Sequence, residues 1–324
     1  GRELEKHGHE LEHIVGPEMG HKYDDASAKQ IFDALMAVPS RNYRPRSKVL
    51  LQTQTLRYPE NRQISITGLK EHWQDSTVDL RRENDVTLVA TKNVTSLKLP
   101  GTGSFKIDGQ NLTNHQSIGH WFECRQVDGT WQLGSPEGLR KKPGLQGPID
   151  DAFMAPFLVV LPTEPSQNPS LQKWLEFESS HFANRWRELM RGHLPVKRAD
   201  ELTKEDVANH SLVCWGEPTT NSVIGATIDK LPLIWDEKLK IGKTSVDPSF
   251  HVPVLIYPNP LNPERYLVIN SGLSFREDHD RTNSLQNPKL PDWAVIDIRQ
   301  APDGSTPGKI VEADFFNERW AVKD

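Results

Sequence analysis

The first residue that could carry chemistry is a histidine in a loop. His21 lies in "HIVGPEMGHKYDD", where a strand-like run ends in a loop that contains Gly and Pro, and an amphipathic pattern follows from residue 24. An imidazole titrates near neutral pH, so a histidine held in such a loop can serve as a general base. Taken alone, these residues are more typical of a surface-loop histidine, which is the alternative interpretation.

A cluster of histidines precedes this loop. The stretch "KHGHELEH" contains His7, His9 and His13, and "HELEH" formally matches the H-E-x-x-H pattern of zinc enzymes. That pattern requires a helix, whereas the following "IVGPE" ends any helix at once, and no third ligand lies nearby. We therefore expect a solvated segment and no metal site.

A third candidate is the turn "CWGEPTTNS" at residues 214–222, where a buried strand leads into a helix. Free backbone N–H groups at the start of that helix, together with Thr219, Thr220 and Asn221, could bind an anion or a polar ligand. Capping of the helix by the same side chains is the alternative, since every helix needs it. The sequence contains neither G-x-G-x-x-G nor a P-loop, and we expect no cofactor.

Two weaker patterns involve acidic and aromatic residues. The cluster "REDHDRTN" at residues 276–283 could offer calcium the side chains of Glu277, Asp278 and Asp280, but it lacks the spacing of an EF-hand and predicts a solvated loop. Trp73 or Trp121 could form a carbohydrate-stacking face on the β region. Most other tryptophans stand at positions typical of a core, including Trp174, Trp186, Trp215 and Trp293.

The elements that must position these residues change in character along the chain. Residues 24–37 predict a short amphipathic helix with Ile31, Phe32, Leu35 and Met36 on its apolar face. From about residue 46 to 135, short alternating runs predict a β-sandwich, with hairpin turns at residues 83–85 and 128–129. Residues 136–152 are rich in Pro and Gly and form the best candidate for a linker.

Beyond the linker, apolar strands alternate with helices. A long helix is predicted from Leu171 to Met190, a short one is capped by Thr203, and another is opened by Thr219 or Thr220. The runs "PFLVVLP", "VLIYP", "YLVIN" and "WAVIDI" predict buried strands. This alternation indicates a parallel sheet with covered faces, in a flavodoxin-like or Rossmann-like arrangement.

Composition sets limits on the class of protein. The 324 residues carry a net charge of −5 without a long basic block, which disfavours nucleic acid as a partner. No apolar run is long enough for a membrane helix, so we expect no membrane insertion. Cys124 and Cys214 stand beside aromatic residues in separate regions, which favours buried free thiols over a disulfide.

Several of these motifs together resemble a known family. "GPEMGHKYD", "RNYRPRSKVLLQTQTLRY", "LTKEDVANHSLVCWGEPTTNSVI", "VPVLIYPNPLNPERYLVINSG" and "LPDWAVIDI" are similar to the C-terminal half of large bacterial prolyl-oligopeptidase-like serine hydrolases of the α/β-hydrolase class. The resemblance spans nearly the whole chain. It implies an upstream hydrolase domain of the same protein as a partner, a peptide or ester substrate, and an extracytoplasmic or secreted location.

The resemblance also assigns His21 a role. In that family the triad runs in the order Ser, Asp, His, and the matching histidine is His21. No G-x-S-x-G elbow occurs in this sequence, and the nearest serines, in "LGSPEG" and "NSGLSFRE", lack the flanking pattern. We therefore expect the nucleophile and the aspartate to lie upstream, so that the chain is inactive alone. A non-catalytic module that binds a partner protein or a glycan is the alternative.

The expected architecture is α/β plus all-β. Residues 1–40 would be the end of an α/β-hydrolase domain, with its last strand, the histidine loop and its last helix. Residues 41–145 would form the β-sandwich, and residues 146–324 the flavodoxin-like domain.

Overall fold

A computed structural model describes residues 1–37, 47–115 and 121–323. The chain divides into two compact units, Gly1–Ser47 and Lys48–Asp324. The described residues form many strands in several sheets and few helices, so the class is mixed α/β and β, as expected. The predicted boundary at residues 40 and 41, and the first two residues of the predicted strand "GHWFECRQV", lie outside the described residues.

The α-helices of the described residues include two in the first unit and three in the second. They are α1 (Arg2–Lys6), α2 (Asp25–Ala37), α3 (Pro169–Met190), α4 (Lys204–Asn209) and α5 (Ser222–Thr227). None of them is both long enough and apolar enough to cross a membrane.

The first unit contains α1 and α2. Asp24 starts α2 as expected of an acidic residue, because its carboxylate accepts hydrogen bonds from Ala26 N and Ser27 N, both at 3.0 Å. The short strand predicted in "HIVGPEMGH" is not formed: no described residue pairs with that segment in a ladder of backbone hydrogen bonds, and without such a ladder no strand forms.

The second unit begins with two sheets around one core. Their strands are β1 (Lys48–Thr53), β2 (Ser65–Leu69), β3 (Ser76–Glu83), β4 (Val86–Lys92), β5 (Val94–Pro100), β6 (Gly103–Ile107), β7 (Gln110–Asn114), β8 (Trp121–Val127) and β9 (Thr130–Leu133). One sheet has the order β1-β3-β4-β6-β7 and the other the order β2-β5-β8-β9. Alternate side chains of both enter a common hydrophobic cluster, so we call them the paired sheets.

Two predicted hairpin turns are confirmed in the paired sheets. Asn84 joins β3 to β4 with φ +52°, and Asp128 and Gly129 join β8 to β9 with φ +49° and +78°. Asn, Asp and Gly adopt this left-handed region with little strain, which is why the turns were visible in the sequence. The strands β6 and β7 were missed, because "GSFKIDGQNLTN" contains few apolar residues.

A larger sheet occupies the rest of the unit. The remaining strands are β10 (Phe157–Leu161), β11 (Val196–Arg198), β12 (Ser211–Cys214), β13 (Ile234–Trp235), β14 (Leu239–Ile241), β15 (Thr244–Val246), β16 (His251–Asn259), β17 (Asn262–Ile269), β18 (Trp293–Asp297) and β19 (Lys309–Asp314). Seven of them form one sheet in the order β11-β10-β12-β17-β16-β18-β19, while β13, β14 and β15 form a small separate sheet.

The expectation of a parallel sheet is wrong for three of the six strand pairings in the seven-stranded sheet. The strands β11, β10, β12 and β17 run parallel, whereas β16, β18 and β19 join by antiparallel pairing. Only Pro260 and Leu261 separate β16 from β17, and a parallel pair needs a crossover of about a dozen residues or more. All nine residues of β16 are buried. Because both of its faces are covered, this antiparallel strand has the continuous apolar sequence that is typical of a parallel strand.

The segment predicted as a linker is packed into the unit. Leu145 and Ile149 are 3% and 0% exposed and belong to the core of the seven-stranded sheet. In the loop between β1 and β2, Thr55 donates a hydrogen bond to Gln146 (2.6 Å), and Arg57 lies 3.3 Å from Asp151. Residues 145–152 of this segment are buried, including Gly147 and Pro148, so this part is packed structure rather than a flexible connection.

The helix α3 lies where the sequence predicts it. Asn168 caps its start by accepting hydrogen bonds from Ser170 N and Leu171 N, and Pro169 occupies the first turn. Its buried face is mostly apolar but also contains two charged residues. The buried residues of α3 are Leu171, Trp174, Leu175, Glu178, Phe182 and Arg185.

Candidate functional site

His21 lies on an exposed loop immediately before α2. Its imidazole makes no hydrogen bond or ion pair with any described residue, and neither a serine hydroxyl nor a carboxylate is placed to act with it. Among the described residues no serine hydroxyl donates to a histidine ring. The imidazole can therefore take part in proton transfer only when a nucleophile is brought to it.

The histidine cluster near the start of the chain is not on a helix. The helix α1 ends at Lys6, so His9 and His13 do not share a helix face as H-E-x-x-H requires. Within the described residues, no group of three or more His, Cys, Asp or Glu side chains is arranged to hold a metal ion. In the acidic cluster, Asp280 pairs with Arg185 at 2.6 Å and Glu277 lies 3.0 Å from His181.

The serines nearest to an elbow pattern are engaged elsewhere. Ser135 Oγ donates to Glu123 Oε2 (2.6 Å), and Ser271 Oγ donates to Gly272 O (3.1 Å). Ser274 donates to Asp150 through both its hydroxyl and its backbone N–H. Burial raises the pKa of Asp150 to about 6, and the hydrogen bonds from Ser274 oppose that rise.

The turn at residues 214–222 is held by its own side chains. The helix α5 is capped by Asn221 rather than by Thr219 or Thr220, and the Asn221 carboxamide oxygen accepts from Val223 N (3.0 Å) and Ile224 N (3.4 Å). Its amide nitrogen donates to Trp215 O (2.9 Å) and to Val160 O (3.2 Å). A threonine hydroxyl has one donor and cannot make this set of bonds. This explains why Asn221, and not the predicted Thr219 or Thr220, caps α5.

The crevice beside this turn is closed. The strands that follow β10 are added on opposite sides of it, β11 on one side and β12 on the other, and such a switch point in strand order is where open α/β sheets bind ligands. Here Thr163 donates from both N (2.9 Å) and Oγ1 (3.1 Å) to Thr220 O, which ties the two loops together. Thr219 is exposed, while Thr220 and Asn221 are 6% and 0% exposed. The structure places these three residues together. Asn221 caps α5, and the carbonyl of Thr220 holds the two loops together.

A small, partly open cavity lies at the carboxyl end of the neighbouring strand, β17. Its volume is about 120 Å³, which suits a few waters or a small polar molecule. The floor comes from Ser271 and Gly272 after β17, and one wall from Trp174 and Glu178 of α3. The roof comes from the loops at residues 273–290 and 305–310.

An ion pair forms the charged part of this cavity wall. Arg276 Nη2 donates to Glu178 Oε2 (2.7 Å), and the two side chains are 6% and 9% exposed. Burial raises the pKa of Glu178, and the charge of Arg276 opposes that rise. Glu178 Oε1 is buried without a hydrogen-bond partner among the described residues, so the pair is only partly satisfied.

A histidine extends the same network. Arg276 Nη1 lies 3.2 Å from His181 Nδ1, and because the guanidinium can only donate, Nδ1 must accept. The Nε2–H of His181 then donates to Glu277, at 3.0 Å from Oε1. Burial lowers the pKa of His181, with Arg276 acting in the same direction and Glu277 opposing, which agrees with a neutral imidazole.

The exposed tryptophans lie on the paired sheets and the loops beside them. Trp73 is 40% exposed and packs 5.5 Å from Phe315 between ring centroids, while Trp121 is 38% exposed. Trp174, Trp215 and Trp293 are buried, as their positions predicted.

Sequence reasoning missed Glu178, Arg276 and Asp150. One signal was present for Glu178: it stands four residues after Trp174 and four before Phe182, on the apolar face of α3. A charged residue at a core position of a helix needs a buried partner, and that partner is Arg276. Nothing local marks Asp150, since its burial depends on Ser274, which is distant in the sequence.

Comparisons of the chain with protein-family models, with curated proteins and with solved structures found no match.

Proposed function

We propose that this chain is the C-terminal accessory part of an exported serine hydrolase of the prolyl-oligopeptidase type, acting on a peptide or an ester. His21 would be the general base of a triad whose serine and aspartate belong to a domain that precedes residue 1. In this proposal, the β-sandwich expected over residues 41–145 and the flavodoxin-like domain expected over residues 146–324 are its accessory domains.

The observation that carries the proposal is the uncovered face of α2 next to His21. Phe32, Leu35 and Met36 are 61%, 63% and 61% exposed, although their spacing is that of a core-facing helix. An apolar helix face of this kind is covered in a completed domain. A hydrolase domain that covers α2 would also bring its nucleophile towards the loop that carries His21.

The second unit fits an accessory role in this proposal. None of its described serines donates to a histidine ring, and Ser135, Ser271 and Ser274 donate to carboxylates or a backbone carbonyl, so its described residues present no nucleophile activated by a base. Positioning of the substrate or of the hydrolase domain would be its contribution.

The test is hydrolysis of p-nitrophenyl acetate and of a proline-containing peptide. It compares this chain with a longer protein in which a domain bearing a G-x-S-x-G serine precedes residue 1. We expect activity only in the longer protein, and loss of about a thousandfold or more in His21→Ala. His9→Ala is the matched control, because it removes an exposed histidine from the same unit and should leave the rate unchanged.

A non-catalytic binding module is the second candidate, favoured by the small cavity at the end of β17. The same assay separates the two. An inert longer protein, or one whose rate is unaffected by His21→Ala, would reject the hydrolase proposal in favour of the binding module.

A further inference from the structure

Three adjoining open grooves lie along the outer face of the sheet β2-β5-β8-β9. Their volumes are about 610, 510 and 620 Å³. Arg140 lines both the first and the second, while Ser65 and Lys98 line both the second and the third. We call this surface the outer-face groove; Arg125 and Arg140 lie towards one end and Trp121 lies at the other.

Strand alternation places polar side chains in the groove. In β8, Phe122 packs against the core and Cys124 is 0% exposed, so Trp121, Glu123 and Arg125 point to the opposite face. The pairing places Ser65 beside Lys98 and Lys98 beside Glu123, so one polar row crosses the sheet.

Basic side chains outnumber acidic ones in the groove, although the protein is acidic. Nine basic and five acidic side chains line it, whereas the whole chain has a net charge of −5. Arg57, Lys141 and Lys142 pair with carboxylates outside the groove, and Arg125 pairs with Glu137 within it, so these four cations are already compensated. The excess is modest, which suits a ligand with spaced negative charges better than a densely charged polymer.

Arg140 is the cation best placed for an anion. It donates one hydrogen bond, from Nη1 to Thr67 O (2.8 Å), and forms no ion pair with a described residue. Most of its N–H donors therefore lack an acceptor among the described residues. Burial lowers the pKa of Arg140, and Arg319 acts in the same direction while Glu123 opposes, so an added anion would relieve an unfavourable environment. A guanidinium in this state matches a carboxylate, which it can bind through two parallel hydrogen bonds.

Trp121 supplies a different kind of contact. It is 38% exposed, and its groove also contains Ser65 and Lys98. A flat aromatic ring beside hydrogen-bonding groups suits a ligand that has an apolar face and hydroxyl groups, as a sugar ring does.

The location of the groove disfavours a peptide. Peptides that add to a sheet pair with an edge strand, whereas the inner strands β5 and β8 already pair on both sides. Only side chains are available on the face, so recognition must come from stacking, hydroxyl contacts and charge.

We propose that the outer-face groove binds an acidic oligosaccharide built of uronic acid units, with a ring carboxylate at Arg140 and a sugar ring stacked on Trp121. This inference goes beyond the proposed hydrolase function and does not depend on it. A uronate carries one charge per ring, which matches spaced cations such as Lys98 and Arg140.

The test is calorimetric titration of the full chain with hexagalacturonate and with its methyl ester, which removes the charges and leaves the rings. We expect the acid to bind and the ester to bind at least about tenfold more weakly. Arg140→Ala and Lys98→Ala should each weaken binding of the acid, Arg140→Ala by about tenfold or more. Trp121→Ala should weaken binding of both sugars.

Matched controls lie outside the groove. Lys106→Ala removes an exposed cation from the other sheet of the pair, and Tyr23→Ala removes an exposed aromatic ring from the first unit. Both should bind as the unaltered chain does. Lys98 is exposed, so Lys98→Ala keeps the test decisive if Arg140→Ala fails to fold.

Three results would overturn the proposal. Hexagalacturonate does not bind, or it binds Arg140→Ala and Lys98→Ala unchanged, or the methyl ester binds as tightly as the acid. Hexaglutamate is the peptide arm of the experiment. If it binds as tightly as hexagalacturonate and Trp121→Ala has no effect, the groove recognises an acidic peptide and the sugar assignment is wrong.

Discussion

Lys141 and Asp292 form an ion pair that is almost wholly removed from solvent: Lys141 Nζ lies 2.6 Å from Asp292 Oδ2, and the side chains are 1% and 0% exposed. Phe316 N donates to the same oxygen at 2.9 Å, and the ammonium group lies 5.1 Å from the centroid of the Trp320 ring. The pair fixes the segment that follows the paired sheets against the loop that precedes β18. Neither charge can be left alone without a large desolvation cost.

Removal of Lys141 should destabilise the protein strongly. Lys141→Ala leaves the Asp292 carboxylate buried and uncompensated, which should cost about 3–5 kcal/mol in the free energy of unfolding. Urea denaturation measures this value. Lys142→Ala is the control, because Lys142 pairs with a mostly exposed Glu264 and should cost less than about 1 kcal/mol. Equal losses in the two variants would contradict the argument.

Asp150 should make stability fall as pH rises. Its folded pKa is raised to about 6, so between its unfolded value of about 4 and that pH the native state binds more protons than the unfolded state. The free energy of unfolding should therefore lose roughly 3 kcal/mol across this window. Asp150→Asn should remove that loss, as seen by comparing urea denaturation of both proteins from pH 4.5 to 7.5. Identical pH profiles would refute the prediction.

Asp297 provides a control of opposite sign. Hydrogen bonds from Arg299 are the largest cause that lowers its pKa, to about 2. Its stabilising contribution is complete above its unfolded pKa and is lost as the pH falls towards 2. Asp297→Asn should accordingly change the pH dependence of the free energy of unfolding only below the unfolded pKa of about 4.

Asn221 should be essential to the loop that joins β12 to α5. Asn221→Ala removes the cap of α5 and leaves the carbonyls of Val160 and Trp215 without its donor, at a cost of about 2–4 kcal/mol. Thermal or urea denaturation provides the measurement. Thr219→Ala, at an exposed neighbour, should change stability by less than about 0.5 kcal/mol. A neutral effect of Asn221→Ala would show that the cap is dispensable.

Both cysteines should be inert in the native protein. Cys124 and Cys214 are free and buried, as the sequence predicts. Burial raises the pKa of Cys124 to about 12 and raises that of Cys214 as well, so the reactive thiolate is scarce. Iodoacetamide should label neither thiol in buffer and both in urea, as read by mass spectrometry. Rapid labelling of the native protein would show that one of these sites opens to solvent.

The sequence was most informative where structure depends on neighbouring residues. Turn residues with left-handed backbone located the hairpins at Asn84 and Asp128, and helix spacing located α3 and the helix that begins after Thr203. It was least informative where a partner is distant. The segment around His21 illustrates the difference. Helix α2 formed as its spacing predicted, whereas the strand predicted before it did not form.

The sequence by itself determined the elements and their buried faces, since alternation and helix spacing are written in consecutive side chains. Only the tertiary structure decided the direction of β16 and the burial of Glu178 with Arg276. The same is true of the groove that joins Arg140 to Trp121. The physical reason is that a strand buried on both faces has the same apolar pattern in either direction. A charged residue can be buried only where the fold brings its partner, and Lys141 and Asp292 meet across half of the chain.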